Sequence, residues 1–182
     1  MHTLAPALRE HWESALAFHR HSCPGLAMGC RIAVDALAFL GRGEPSVDEE
    51  IVCIAETDAC AVDAIQVITG CTLGKGNLLL RPRGKHAFSF YARETERSVR
   101  FLWRGGQNGA SREEKTLFYL TAPPEALYTM ATPLYAQPDK ALLSPSLVCA
   151  ACGEETAEPH IRMRNGEPLC LDCYVPRCRV IL

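Results

Sequence analysis

Apolar residues recur at steps of three and four across residues 6–20, where Leu8, Trp12, Ala15, Leu16 and His19 share one face. The spacing predicts a helix, and Pro6 suits its first turn. The stretch His19-Arg20-His21-Ser22-Cys23-Pro24-Gly25 interrupts it. A second helix is predicted from about Pro24 to Leu40, ended by Gly41. Its Gly25, Ala27, Gly29 and Ala33 leave room for close packing against a neighbour. Residues 51–56 read as a buried strand. Asp58 is a natural cap for a helix over about Ala59–Thr69, closed by Gly70. Strands follow at 77–81, 85–92 and 98–104, rich in Leu, Phe, Tyr, Val and Trp. The turn signal Pro82-Arg83-Gly84 separates the first two. Helices are expected at 111–121 and 124–131, broken at Pro123-Pro124. Pro133, Pro138 and Pro145 mark residues 133–148 as a linker.

The pattern predicts an α+β core over residues 1–132, a linker over 133–148 and a cysteine-rich domain over 149–182. No internal repeat is visible. The chain has 182 residues, 48% apolar and 22% charged, which suits an ordinary globular protein with a real core. No charge-free apolar run reaches the roughly 18 residues of a membrane span. The first residues lack the apolar block of a secretion signal. A cytoplasmic protein is therefore expected.

Charge is uneven. Residues 1–74 carry a net -6 and residues 75–104 a net +6, with -1 in each of 105–148 and 149–182. The basic block fits a solvated strand face pairing with the acidic part, or a surface that meets an anion.

The chain has ten cysteines. Without a secretion signal, such a set points to metal binding or chemistry rather than disulfides. Cys149-x2-Cys152, seventeen residues, then Cys170-x2-Cys173 is the spacing of a four-cysteine zinc ribbon. Each short pair presents two thiolates to one ion, and Asn165-Gly166 can turn the segment between them. Four sulfurs close the tetrahedron of zinc, so such a site is structural. Cys178 lies just beyond, as a bystander or a spare ligand. The tail's net charge of -1 disfavours nucleic acid and suits a protein contact.

A second constellation lies in the core. His19, His21 and Cys23 alternate in one loop, and Cys23 precedes a helix start. Cys60 sits at a second helix start. The positive end of a helix dipole lowers a thiol pKa, and thiolate is the ligating form. Two such thiols with one or two imidazoles can hold zinc or another transition metal with a position left open. The plain alternative is a surface or capping His-x-His and a buried thiol at Cys60. Cys30, Cys53 and Cys71 read as packing residues. Gly70-Cys-Thr-Leu-Gly74-Lys75-Gly76 is not a phosphate loop, because its glycine spacing is one short and Gly76 stands where Ser or Thr should be. Lys75 remains a candidate for a small anionic ligand, beside the reading of a plain β-turn.

The motifs Phe18-His19-Arg20-His21-Ser22-Cys23-Pro24-Gly25, then Gly29 and Arg31, then Glu56-Thr57-Asp58-Ala59-Cys60-Ala61-Val62-Asp63-Ala64-Ile65-Gln66, then Gly70 through Leu78, occur in one order. Gly84-Lys85 and Ala87-Phe88-Ser89-Phe90-Tyr91 follow. Together they resemble the FmdE family, proteins related to the FmdE component of molybdenum formylmethanofuran dehydrogenase, over about residues 10–130. The tail is similar to members with a C-terminal zinc domain. The resemblance implies an α+β core, a homodimer, and a metal held by His21, Cys23 and Cys60 first and His19 second. Asp58 would orient a ligand or cap its helix. Arg20 departs from the pattern, which expects glycine there. The resemblance implies an association with an enzyme that reduces CO2 onto methanofuran, without fixing a reaction or whether this chain is an enzyme.

Two functions follow. One is a metal-dependent redox or one-carbon accessory protein, with a His/Cys core site, a structural zinc ribbon and an anionic ligand or pterin-type cofactor on the basic block. The other is a non-enzymatic adaptor whose ribbon docks on a protein partner.

Overall fold

A computed structural model describes residues 4–106 and 109–176. The chain divides into two compact units, Met1–Ala141 and Leu142–Leu182. The first has mixed helices and strands. Helix α1 spans Pro6–His19, α2 Pro24–Leu40, strand β1 Ile51–Ala55, α3 Ala61–Thr69, β2 Leu78–Leu80, β3 Ala87–Ala92, β4 Ser98–Trp103, α4 Arg112–Thr121, α5 Pro124–Leu127 and β5 Tyr128–Ala131. The strands form one sheet in the order β2-β1-β3-β4-β5. β2 runs parallel to β1, while every other pairing is antiparallel.

The turn at Pro82-Arg83-Gly84 does not close a hairpin. It carries the chain across the end of β1, from one edge to the other. The Arg81 N–H donates to the Ala55 carbonyl, and those of Arg83 and Lys85 donate to the Glu56 carbonyl. β1 lies between β2 and β3 and is buried along its whole length. One sheet face packs Cys53, Ala55, Phe88, Phe90, Phe101 and Trp103 with Leu26, Ile32, Ile65 and Ile68 of the helices. The other gathers Val52, Ile54 and Tyr91 with Tyr135.

The expected helix over 124–131 is in fact one helical turn followed by β5. Tyr128 and Thr129 favour extended backbone, and pairing Tyr128 with Trp103 gives β4 a partner on its open edge. Of the segment expected as a linker, residues 133–141 lie in the first unit. The Tyr91 hydroxyl donates to the Tyr135 carbonyl at 2.7 Å, and the Arg93 guanidinium donates to those of Pro138 and Asp139 at 2.7 and 2.9 Å.

α2 and α3 approach closely because Gly29 lacks a side chain. A Cβ there would lie 2.2 Å from the Ala61 carbonyl oxygen. This contact brings the start of α3 against the first turns of α2.

The second unit holds two hairpins, β6 (Ser146–Val148) with β7 (Glu155–Ala157) and β8 (Ile161–Arg164) with β9 (Glu167–Cys170), and a 3-10 turn at Glu158–His160. Asn165 and Gly166 link β8 to β9 with φ of 51° and 87°. Two positive φ angles give the tight turn whose twist matches its strands. No described helix is long and apolar enough to cross a membrane.

Candidate metal centres

Three elements converge on the core site. α1 ends at His19, and Arg20 turns the chain with φ 71° while its N–H caps the Leu16 carbonyl. Cys23 is the N-cap of α2, its sulfur accepting the Leu26 N–H at 3.4 Å. Cys60 takes the same position before α3, without a side-chain cap bond. The expected cap, Asp58, is exposed and α3 begins later; the Thr57 hydroxyl accepts the Ala59 N–H in the turn instead.

The donor atoms of His19, Cys23 and Cys60 all lie within 4.8 Å of one another. His19 Nε2 stands 3.7 Å from Cys23 Sγ. An ion about 2.1 Å from nitrogen and 2.3 Å from sulfur would hold a tetrahedral pair about 3.6 Å apart, so the spacing fits. The other ring nitrogen, Nδ1, meets Asp63 Oδ2 at 2.7 Å. An ionised carboxylate only accepts, so it selects the tautomer with the proton on Nδ1 and leaves the Nε2 lone pair facing the sulfurs.

Reasoning from the sequence misses Asp63. Its signal is its place three residues after Cys60 at a helix start, where side chains share a face. His21, expected ahead of His19 as a ligand, falls outside the group. It is exposed, and its ring packs against that of His19 with centroids 4.3 Å apart.

The expected lowering of the Cys60 thiol pKa is not found. Burial raises it above its ordinary value of 9.0, and the neighbouring Cys23 raises it further. α3 is only nine residues long, so its dipole yields to desolvation and a second sulfur. Two adjacent thiols that resist ionising together are what a cation relieves. Gly25 packs closely against the pair: a Cβ there would sit 3.1 Å from Cys60 Cβ, 3.9 Å from Cys60 Sγ and 4.0 Å from Cys23 Sγ.

The second unit gathers Cys149, Cys152, Cys170 and Cys173, with all four sulfurs within 4.8 Å of one another. Cys152 and Cys170 Sγ are 3.9 Å apart, against about 3.8 Å for a tetrahedron of zinc–sulfur bonds. Each pair sits in a tight turn. The Gly153 N–H donates to the Cys149 carbonyl and the Tyr174 N–H to that of Cys170, both at 2.9 Å. Backbone N–H groups of Cys152 and Cys170 hold the Cys149 thiol down at about 6. The thiols of Cys170 and Cys152 push Cys173 up to about 12. Cys178 lies outside the described residues.

The Lys75 ammonium donates to the carbonyls of Ser46 and Val47 at 2.9 and 3.3 Å, which ties the glycine loop to the segment before β1. Buried Asn77 ties that loop to the Ile51 carbonyl at 2.9 Å. Cys30, Cys53 and Cys71 are buried packing residues. Desolvation pushes Cys30 up to about 12, Cys71 to about 11 and Cys53 well above its ordinary value, which leaves them inert.

The chain is 42% identical over 89 residues to a probable S-adenosyl-L-methionine-binding protein of Archaeoglobus fulgidus, covering 47% of this chain and 24% of that protein. It thus spans about a quarter of the length of that curated relative. The crystal structure of a tungsten formylmethanofuran dehydrogenase FmdE-like protein from Syntrophus aciditrophicus superposes with a TM-score of 0.64, at 26% identity, over 91% of each chain. The model of the family described as FmdE, molybdenum formylmethanofuran dehydrogenase operon, matches residues 18–136, and the chain belongs to that family.

Proposed function

We propose that this protein is a metal-dependent redox or one-carbon accessory protein related to the FmdE component of formylmethanofuran dehydrogenase, cytoplasmic and homodimeric. His19, Cys23 and Cys60 hold zinc or another transition metal, and the four ribbon cysteines hold a structural zinc. The observation that carries the reading is the three-donor core group, whose ligand atoms all lie within 4.8 Å of one another. Three protein donors leave a tetrahedral ion one position for an exchangeable ligand, whereas four sulfurs leave none.

A bound ion would polarise a ligand at the open position as a Lewis acid. The residues do the rest. Asp63 keeps the proton on His19 Nδ1 and fixes the ring. The first turn of α2 holds Cys23, and the close crossing at Gly29 holds Cys60 beside it.

Metal analysis of anaerobically purified protein tests this. Two metals per chain are expected. Cys60→Ser should lower the count to one without changing the circular dichroism spectrum, and Cys149→Ser/Cys152→Ser should remove the other metal. An unchanged count in Cys60→Ser would end the core assignment.

A second reading rests on the ribbon forming a unit of its own that exposes Leu147, Met163 and Leu171. There the ribbon is a protein-docking adaptor and the core a scaffold. Deleting residues 149–182 should then abolish capture of a partner, and a truncated chain that keeps every partner would refute it.

A further inference from the structure

The first unit contains five cysteines, and they differ in access to solvent. Cys23, Cys30, Cys53 and Cys71 are buried, and Cys60 alone is partly exposed. A dissolved oxidant therefore meets Cys60 first, because thiol oxidation follows exposure. A buried thiol waits directly behind it. The sulfurs of Cys60 and Cys23 lie within 4.8 Å of one another. An exposed thiol backed by a second, shielded one is the arrangement of an attacking and a resolving cysteine.

The two sulfurs are close enough to join. A disulfide sets them about 2.05 Å apart, which leaves at most about 2.7 Å to cover. A cysteine side chain that moves from one staggered position to the next carries its sulfur through about 3 Å. Cys60 is the one to turn, since it makes no side-chain cap bond, whereas Cys23 Sγ is tied to the Leu26 N–H at 3.4 Å. The close crossing of α2 and α3 at Gly29 keeps the two cysteines facing each other throughout.

We propose that Cys60 is a site of thiol–disulfide exchange with a low-molecular-weight disulfide, and that it then closes a bond to Cys23 which releases the core metal. The proposal rests on the metal reading above. Cys60 sulfur attacks one sulfur of the small disulfide, forming a mixed disulfide and expelling one thiolate. Cys23 sulfur then attacks Cys60 sulfur, and the second thiolate leaves. Both departing thiolates take protons from solvent. The cysteine pair gives up two electrons, the small disulfide gains them, and the metal keeps its charge. Thiolate is the ligating form of cysteine. The new disulfide leaves His19 as the last good donor of the three, and the ion passes to solvent.

The test treats anaerobically purified, reduced protein with glutathione disulfide. Released metal is read with a coloured chelator, and disulfides are located by mass spectrometry of a digest kept acidic. The metal content should fall from two per chain to one, and a peptide pair joining Cys23 to Cys60 should appear. Dithiothreitol and added metal should restore the count to two. Brief exposure should place glutathione on Cys60 and leave Cys30, Cys53 and Cys71 unmodified. In Cys23→Ser the glutathione should stay on Cys60, because the resolving thiol is gone. Native protein that keeps both metals, that retains glutathione on Cys60, or that loses metal with bonds only among the ribbon cysteines overturns this proposal and leaves the metal reading standing. Reduced protein that holds one metal per chain before any oxidant is added overturns the metal reading and this proposal with it.

Discussion

Asp63 on α3 grips the Nδ1 of His19 at the end of α1, 44 positions away in sequence, at 2.7 Å. The bond fixes the ring of a helix-end histidine and leaves its other nitrogen available. Replacing Asp63 with Asn keeps the shape but weakens the hold on tautomer and basicity. Carboxylates in this role are worth about 10- to 100-fold in metal affinity. Asp63→Asn should therefore lose the core metal to a chelator at a concentration lower by that factor, with the ribbon metal unaffected. Equal retention in both proteins would show that the contact is only structural.

Gly29 sets the distance between the two helices that bear Cys23 and Cys60. An added methyl would meet the Ala61 backbone oxygen at 2.2 Å, and a backbone atom within a helix cannot swing aside. Gly29→Ala should destabilise the first unit by about 1–3 kcal/mol, the usual cost of overpacking, and move Cys60 out of reach. Thermal melting and metal content read the two effects, and both should change together.

Much of this is legible in the sequence, and the parts that are not share a cause. α1, α2 and β1 follow from local periodicity and from the stops at Arg20 and Gly41, which both turn left-handed. The Asn165-Gly166 turn and the Cys-x2-Cys pairs are local as well. The glycine expected at position 20 has its physical basis in that positive φ. What escapes depends on distant partners. β2 and β3 flank β1 instead of each other, β5 exists because β4 has an open edge, and Lys75 is captured by carbonyls 28 and 29 residues away. That His19, and not His21, lies with Cys23 and Cys60 and bonds to Asp63 depends on residues far along the chain, which no spacing within the loop could reveal.

Glu56, fully buried where β1 ends, meets Arg100 of β4 through Oε1 and Nε at 2.7 Å. Its second oxygen has no partner among the described residues, nor has the neighbouring Ser89 hydroxyl. Removing the guanidinium alone would strand a buried carboxylate, at a cost of about 3–5 kcal/mol. Arg100→Met should be destabilised by that much in urea unfolding. The double variant Glu56→Gln/Arg100→Met should be more stable than Arg100→Met, because the stranded charge is gone. A double variant that simply adds two losses would show the residues to be energetically independent.

Ser46 gives an acid-range prediction. Its hydroxyl donates to Glu50 at 2.5 Å, and together with nearby backbone N–H groups it lowers that carboxyl from the ordinary 4.5 to about 2. A carboxyl lowered on folding stabilises the protein above its unfolded pKa, and that contribution fades as pH falls through the folded value. The stability gap between the native protein and Ser46→Ala should be widest above pH 4.5 and narrow as pH falls toward 2. A gap of constant size across that range would assign the effect to neutral hydrogen bonds.

The ribbon unit has little to hold it besides its four clustered cysteines. Its buried cluster is Cys149, Leu169 and Cys170, with Cys173 and Tyr174 packed against them, so most of its core is sulfur. A core this small cannot offset the entropy of ordering its chain, and binding free energy becomes folding free energy. Cys149, held at about 6, is ready as thiolate at neutral pH, whereas Cys173, at about 12, must release its proton to solvent as an ion binds. Metal uptake should therefore release protons and tighten as pH rises. Excess chelator at neutral pH should open residues 146–173 to limited proteolysis and leave the first unit, which has its own apolar core, intact. Resistance of the ribbon to protease after complete metal loss would show that its hairpins stand without the ion.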